Sequence, residues 1–218
     1  MARESKEAKR ARAKTVVDAL ARQMPEAKIE LDYGDDLQLL VAVMLSAQCT
    51  DKLVNTVTPA LFARHPTAAH YARSTPEQLG EEIRRVGLWR TKARNLHRSM
   101  TLIAAEGGAI PRTREALEEL PGVGWKTAGV VANHAFGTPA LPVDTHVGRV
   151  SRRLGFTAQQ NPRKVEDELS VLWPSERWGL AHQLLIWHGR RTCFARKPRC
   201  SSCVVADHCP RKGVTQSA

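Results

Sequence analysis

No stretch of this 218-residue chain approaches the ~20 consecutive apolar residues that a membrane span needs. The first residues, Met1 to Lys14, are charged throughout and hold no apolar core of a secretory signal. A cytosolic protein is expected, in a compartment that keeps thiols reduced. Ahead of position 193 there is only one cysteine, Cys49. Acids are scarce beside bases, 22 Asp and Glu against 33 Lys and Arg, a net charge of +11. That excess favours a polyanionic partner: nucleic acid first, an anionic membrane surface second, a merely solvated basic surface as the plain alternative. Val and Ile rarely alternate with polar residues over the length of a strand, and no repeat of solenoid length is present. A β-rich fold and a repeat array are thereby set aside.

What is there reads as helix. Ala, Leu, Glu, Arg and Lys abound. A first helix is expected from about Ser5 to Met24, ending before Pro25. Leu37 to Ala47 is an apolar run suited to a buried helix. Thr50 caps another start, and Thr75-Pro76-Glu77-Gln78 has the form of a capping box with proline at the first helical position. Asn161-Pro162 opens a further helix. Gly107-Gly108 and Gly137-Thr138-Pro139 read as loops, and Gly137 to Pro142 as a hinge between two lobes. Periodicity does not say which lobe takes the N-terminal helix.

The chemistry concentrates in Leu120-Pro121-Gly122-Val123-Gly124-Trp125-Lys126-Thr127-Ala128. Gly122 and Gly124 can take positive φ and leave N–H groups uncovered. The helix that follows adds donors and a partial positive charge at its start, together a site for phosphate. Phosphate binding does not need Lys126, whereas an imine-forming catalyst does. A nucleophilic lysine must be neutral, and desolvation and the helix N-terminus both push its pKa down. Asp144, in Val143-Asp144-Thr145-His146-Val147, stands at another helix start. Its plainest role is an N-cap; beside a reactive lysine it makes sense as a charge stabiliser or proton-transfer group.

Four cysteines fall as Cys193-x6-Cys200-x2-Cys203-x5-Cys209. Four thiolates suit a [4Fe–4S] cube or a tetrahedral zinc, and ligand type alone leaves the two about even. His208 is a competing ligand. Cys49 is remote from the group and reads as a small buried residue. Arg190, Arg191, Arg196, Lys197 and Arg199 flank or fill the loop between the first two cysteines, with no acid among them. Such a loop, if stapled, can meet phosphates.

The hairpin segment with Lys126, then Val143-Asp-Thr-His, then the four cysteines, resembles the helix-hairpin-helix superfamily of DNA glycosylases in its iron–sulfur branch. The likeness spans about Leu31 to Cys209. It implies an all-α, two-lobed fold with a helix-hairpin-helix motif and a C-terminal [4Fe–4S] cluster loop on Cys193, Cys200, Cys203 and Cys209. The expected division is 29–138, a helical barrel domain with the hairpin and Lys126, and 1–28 plus 139–218, with Asp144 and the cluster. The resemblance further implies a DNA base-excision repair enzyme of the bacterial cytosol or nucleoid, expected as a monomer. It would be a bifunctional N-glycosylase and abasic-site lyase acting on double-stranded DNA with damaged bases, oxidised pyrimidines above all, or with abasic sites. Lys126 would form the Schiff base and Asp144 would be the catalytic carboxylate.

Ser46-Ala47-Gln48-Cys49-Thr50-Asp51 resembles the family's loop that inserts a glutamine, and Leu88 in Gly87-Leu88-Trp89 its apolar wedge. Without the resemblance, Gln48 reads as a helix-end hydrogen bonder and Leu88 as core. Asp51 lines the pocket or caps a helix. Gly122, Val123, Gly124, Thr145, His146, Arg196 and Lys197 complete the expected DNA contacts. Five positions depart from the family pattern: Trp125 where a basic residue is usual, Gly129 where a polar one is common, Cys49, and Trp89-Arg90. Two other classes compete, a DNA-binding module without chemistry and an iron–sulfur sensor that meets DNA incidentally.

Overall fold

A computed structural model describes residues 4–218, and among them every regular element is helical. The chain forms two compact units, Met1–Ile29 with Pro139–Ala218, and Glu30–Thr138. The first three residues of the expected division lie outside the described residues. Among the described residues, no helix is long and apolar enough to cross a membrane.

The central unit holds α2 (Asp36–Ser46), α3 (Asp51–Arg64), α4 (Ala68–Arg73), α5 (Pro76–Glu82), α6 (Trp89–Ala105), α7 (Arg114–Glu118) and α8 (Trp125–Phe136). Helix α2 is buried at every position from Leu39 to Leu45, which is why its sequence is apolar all round. It packs against α3, α6 and α8. Each of its fully buried leucines contributes about 2 kcal/mol of apolar burial. The starts follow local chemistry. Thr50 accepts from Leu53 N–H, and at Thr75 both bonds of the capping box form.

The other unit holds α1 (Lys6–Gln23), α9 (Thr145–Arg153), α10 (Pro162–Ser170) and α11 (Trp178–Arg191). Ser5 caps α1, and Ala13, Val16, Val17 and Leu20 share one core with Val147 and Val150 of α9 and with Leu184 and Leu185 of α11. Trp173 and Trp187 tie the chain ends into this core, their indole N–H groups donating to Ala13 O (3.1 Å) and Lys28 O (2.9 Å).

Candidate functional site

The hairpin joins α7 to α8. Leu120 and Val123 bury their side chains beneath it. Val123 N–H donates to Leu120 O at 3.0 Å, so the turn itself uses that donor. Helix α6 presses on the turn from behind, with Ser99 Oγ donating to Pro121 O at 2.7 Å. Only Gly122 uses the left-handed region, at φ +82°. Gly124 instead is extended and serves as the N-cap of α8. The α8 ladder starts with Ala128 N–H bonding Gly124 O at 2.9 Å, so the N–H groups before it lie outside the ladder, at the helix's positive end. A Cβ on Gly122 would lie 2.8 Å from Asn95 Cβ. Gly122→Ala is therefore expected to cost about 1–3 kcal/mol in denaturant unfolding, through left-handed strain and this clash. It is also expected to weaken duplex DNA binding.

Lys126 is half-buried in the first turn of α8. Its charge is felt along the helix: burial first, then Lys126, lowers the pKa of His134. The departures around it form one group. The Arg114 guanidinium of α7 stacks 3.5 Å from the centroid of the Trp125 ring and donates through Nε (3.2 Å) and Nη2 (3.1 Å) to Trp125 O. A Cβ on Gly129 would sit 2.8 Å from Arg114 Nε. Trp125 supplies the face on which the guanidinium rests, and Gly129 leaves room for it. A cation thus sits beside the hairpin even though position 125 is aromatic.

Two loops of the same unit carry exposed residues in left-handed backbone, Gln48 at φ +55° and Leu88 at φ +59°. Leu88 is 59% exposed and so is not a core residue. The loops touch, since a Cβ on Gly87 would stand 3.7 Å from Gln48 O. Backbone strain at exposed positions is characteristic of functional sites. Asp51 is the first residue of α3, whose cap is Thr50, so it does not serve as the cap. Cys49 is half-buried, where the sequence suggested a buried residue.

In the other unit, Asp144 caps α9, its Oδ1 accepting from Val147 N–H at 2.8 Å. The cap employs one carboxylate oxygen and fixes the orientation of the other. Thr145 is exposed at the start of the helix. His146 packs against Gly189 of α11, and its Nδ1 lies 3.2 Å from Arg149 Nη2. Burial holds the His146 pKa below the usual imidazole range. In the loop between the first two cysteines, Arg196, Lys197 and Arg199 are exposed; Arg191, before the loop and also exposed, stacks on Trp187 and pairs with Glu26 at 3.2 Å.

The four clustered cysteines line a small cavity together with Val150, Leu154 and Val205. Four thiols lining one cavity can supply the corner ligands of an iron–sulfur cube. The surroundings agree. Arg153 Nη1 donates to Cys193 Sγ at 3.3 Å and to Phe194 O at 2.6 Å, and its Nη2 to Ala195 O at 2.9 Å. Burial raises the Cys203 and Cys209 thiols, and the neighbouring cysteines raise them further, a repulsion that bound iron would relieve. His208 lines a different cleft, and the histidine beside the cysteines is His188, with Nε2 3.8 Å from Cys203 Sγ.

Sequence reading missed Arg114, Arg149, Arg153 and Lys92. Lys92 carried a signal, because it shares the buried helical stripe of Leu96, Met100 and Ile103. The arginines look like ordinary surface charges until their partners are seen.

Residues 41–175 match the HhH-GPD superfamily base excision DNA repair protein family, and residues 193–209 match the iron–sulfur binding domain of endonuclease III. Endonuclease III of Synechocystis is 45% identical, over 93% of each chain. Endonuclease III of Bacillus subtilis is 44% identical, over 88% of this chain and 89% of its own. A trapped covalent intermediate of endonuclease III with DNA superposes with a TM-score of 0.89 at 42% identity, covering 93% of this chain and 96% of that one. A thermostable thymine-DNA glycosylase, 22% identical with a TM-score of 0.83, shares the fold. The helical fold, the hairpin and the four-cysteine loop agree with these likenesses, and the chain belongs to the endonuclease III family of the HhH-GPD base excision DNA repair proteins.

Proposed function

We propose that this chain excises damaged bases from double-stranded DNA as a bifunctional N-glycosylase and abasic-site lyase, with Lys126 as nucleophile and Asp144 as catalytic carboxylate. The observation that carries this reading is the place of Lys126, two residues beyond the hairpin's Gly124 cap, in the first turn of α8. The turn and the positive end of α8 hold a phosphate of the strand. Lys126 Nζ, as the neutral amine, attacks C1′ of the sugar that follows from that grip. From an intact lesion the base departs, and the C1′–O4′ bond then opens as O4′ takes a proton; from an open-chain abasic aldehyde water departs. Either way an iminium joins Nζ to C1′. It acidifies the proton on C2′, and loss of that proton expels the 3′ phosphate with cleavage of the C3′–O bond. Asp144, oriented by its cap bond, stabilises positive charge on the sugar and takes part in proton transfer.

Gln48 and Leu88 enter the duplex, Gln48 filling the gap of the extruded nucleotide with its amide and Leu88 wedging a base step. Extrusion costs a few kcal/mol and favours weakly stacked lesions, among which oxidised pyrimidines are the proposed substrates. Asp51 lines the pocket. Gly122, Val123 and Gly124 in the hairpin, Thr145 and His146 at α9, and Arg196 and Lys197 on the cluster loop meet the DNA backbone. Residues 29–138 act as the barrel domain with the hairpin; 1–28 and 139–218 act as the domain of Asp144 and the cluster. Cys193, Cys200, Cys203 and Cys209 ligate the [4Fe–4S] cluster, which when bound cross-links four points of the tail and so supplies rigidity to the basic loop. The protein works in the bacterial cytosol, at the nucleoid.

Borohydride reduction in the presence of a duplex with one abasic site tests the reading. A covalent protein–DNA adduct is expected. If folded, cluster-loaded protein gives none, the lyase assignment fails and a binding module without chemistry takes its place.

A further inference from the structure

Lys92 is a lysine with 8% exposure in the first turn of α6, and nothing in the reaction calls for its amine. Its Nζ donates to two backbone carbonyls at the far end of α2, Leu45 O at 2.8 Å and Ala47 O at 2.6 Å. These belong to the group of C-terminal carbonyls that a helix leaves without partners. The neighbouring ones are met locally. Ser46 Oγ donates to Val43 O at 2.9 Å, and Cys49 N–H donates to Ser46 O at 3.0 Å. A cation at the negative end of a helix is favourable there. The ammonium thus fixes the chain on both sides of Ser46, directly before Gln48.

The same residue is anchored to the other loop. Lys92 N–H bonds Leu88 O at 3.0 Å, the first rung of α6. Gln48 and Leu88 are both held in left-handed backbone, a conformation that a non-glycine residue keeps only when its surroundings impose it. Lys92 thus bonds the first loop through its side chain and the second through its backbone, and the loops meet at Gly87 and Gln48 O.

We propose that Lys92 is a positioning residue that locks the Gln48 and Leu88 loops into one rigid DNA-entering unit. The assignment rests on the reading above that these two residues enter the duplex. Burial lowers the pKa of the Lys92 amine, as expected for a group held for its hydrogen bonds and shielded from water. Methionine at this position would keep the stem's packing and remove all three donors.

The test uses full-length, cluster-loaded protein and an abasic duplex with 2-aminopurine opposite the lesion. Lys92→Met is expected to raise KM about tenfold while kcat falls less than threefold, the pattern of lost binding. At saturating protein it is expected to lose the fluorescence change that reports insertion at the gap. Lys92→Arg, which keeps the charge and donors, should recover much of both signals. The decisive comparison is a cycle with Gln48→Ala. In that background Lys92→Met should add less than twofold, because it acts through a residue already removed. Independent, multiplying effects would overturn the proposal, as would loss of kcat with unchanged KM. If Gln48→Ala and Leu88→Ala are both silent on the duplex, the entry reading itself falls and takes this one with it. Should the Met variant fail to fold, Lys92→Gln replaces it in the same cycle, retaining a single donor group and judged by the same non-additivity.

Discussion

Lys126→Ala is expected to give no borohydride-trapped adduct and to lower β-elimination at an abasic site by about 10⁴-fold or more, the order of loss when a covalent nucleophile is removed. The reason is local. Lys126 lies in the first turn of α8, after a turn whose geometry depends on Gly122, Val123 and Ser99. None of these needs the amine, and the side chain is only half-buried. Unfolding free energy should therefore shift by less than about 1 kcal/mol, since alanine is the better helix former and little packing is lost. Binding to undamaged duplex should stay within a few-fold, because hairpin N–H groups and outlying cations carry it. An adduct that survives in Lys126→Ala would assign the nucleophile elsewhere. A variant that no longer folds would mean the lysine has a structural task that its half-exposed position does not disclose.

Cys203→Ser is expected to release the tail. The cysteine loop is held to α9 by Arg149 and Arg153, whose guanidinium groups bond Cys193 O, Phe194 O and Ala195 O. Those bonds reach only the first cysteine and the two residues after it. Cys203 and Cys209 pack against the core of this unit beside buried Val205, and Cys209 Sγ donates to Arg153 O at 3.4 Å, so ligation would add to contacts that the tail already makes. Loss of one ligand should bleach the broad visible absorbance of the cluster and destabilise the protein by about 3 kcal/mol or more, as for other metal-tied segments. Arg196, Lys197 and Arg199 would lose their fixed places, and the slope of log affinity against log salt should flatten by about 2–3, near 0.9 for each lost phosphate contact. The core of α1, α9, α10 and α11 is built mostly by residues outside the cysteine loop and should remain cooperative. An unchanged salt slope after bleaching would separate the cluster from DNA binding.

The helix starts were legible because their causes lie within four residues. Thr50, Thr75 and Asn161 each cap an N–H two or three positions ahead, and a sequence states both ends of such a bond. Asp144 was legible in the same way as a cap, and that cap forms, leaving its second carboxylate oxygen oriented for the role proposed for it. Gly122 and Gly124 can each take a positive φ, but only Gly122 does, since one left-handed residue suffices to reverse the chain and Gly124 is extended as a cap. Trp125 and Gly129 looked like separate departures until Arg114 was found stacked on one and filling the space over the other.

The sequence by itself determined an all-helical chain, a hairpin followed by a lysine, and a four-thiolate ligand set, all consequences of residue type and short spacing. Only the tertiary structure decided what those groups face. It brought the four thiols to one cavity, placed Leu88 in solvent instead of the core, and sent Lys92 to carbonyls more than forty residues away in the chain. Such contacts depend on how one helix packs across another and where a long side chain then points. Local periodicity carries no record of either, because the same stripe of residues is compatible with many partners until packing selects one.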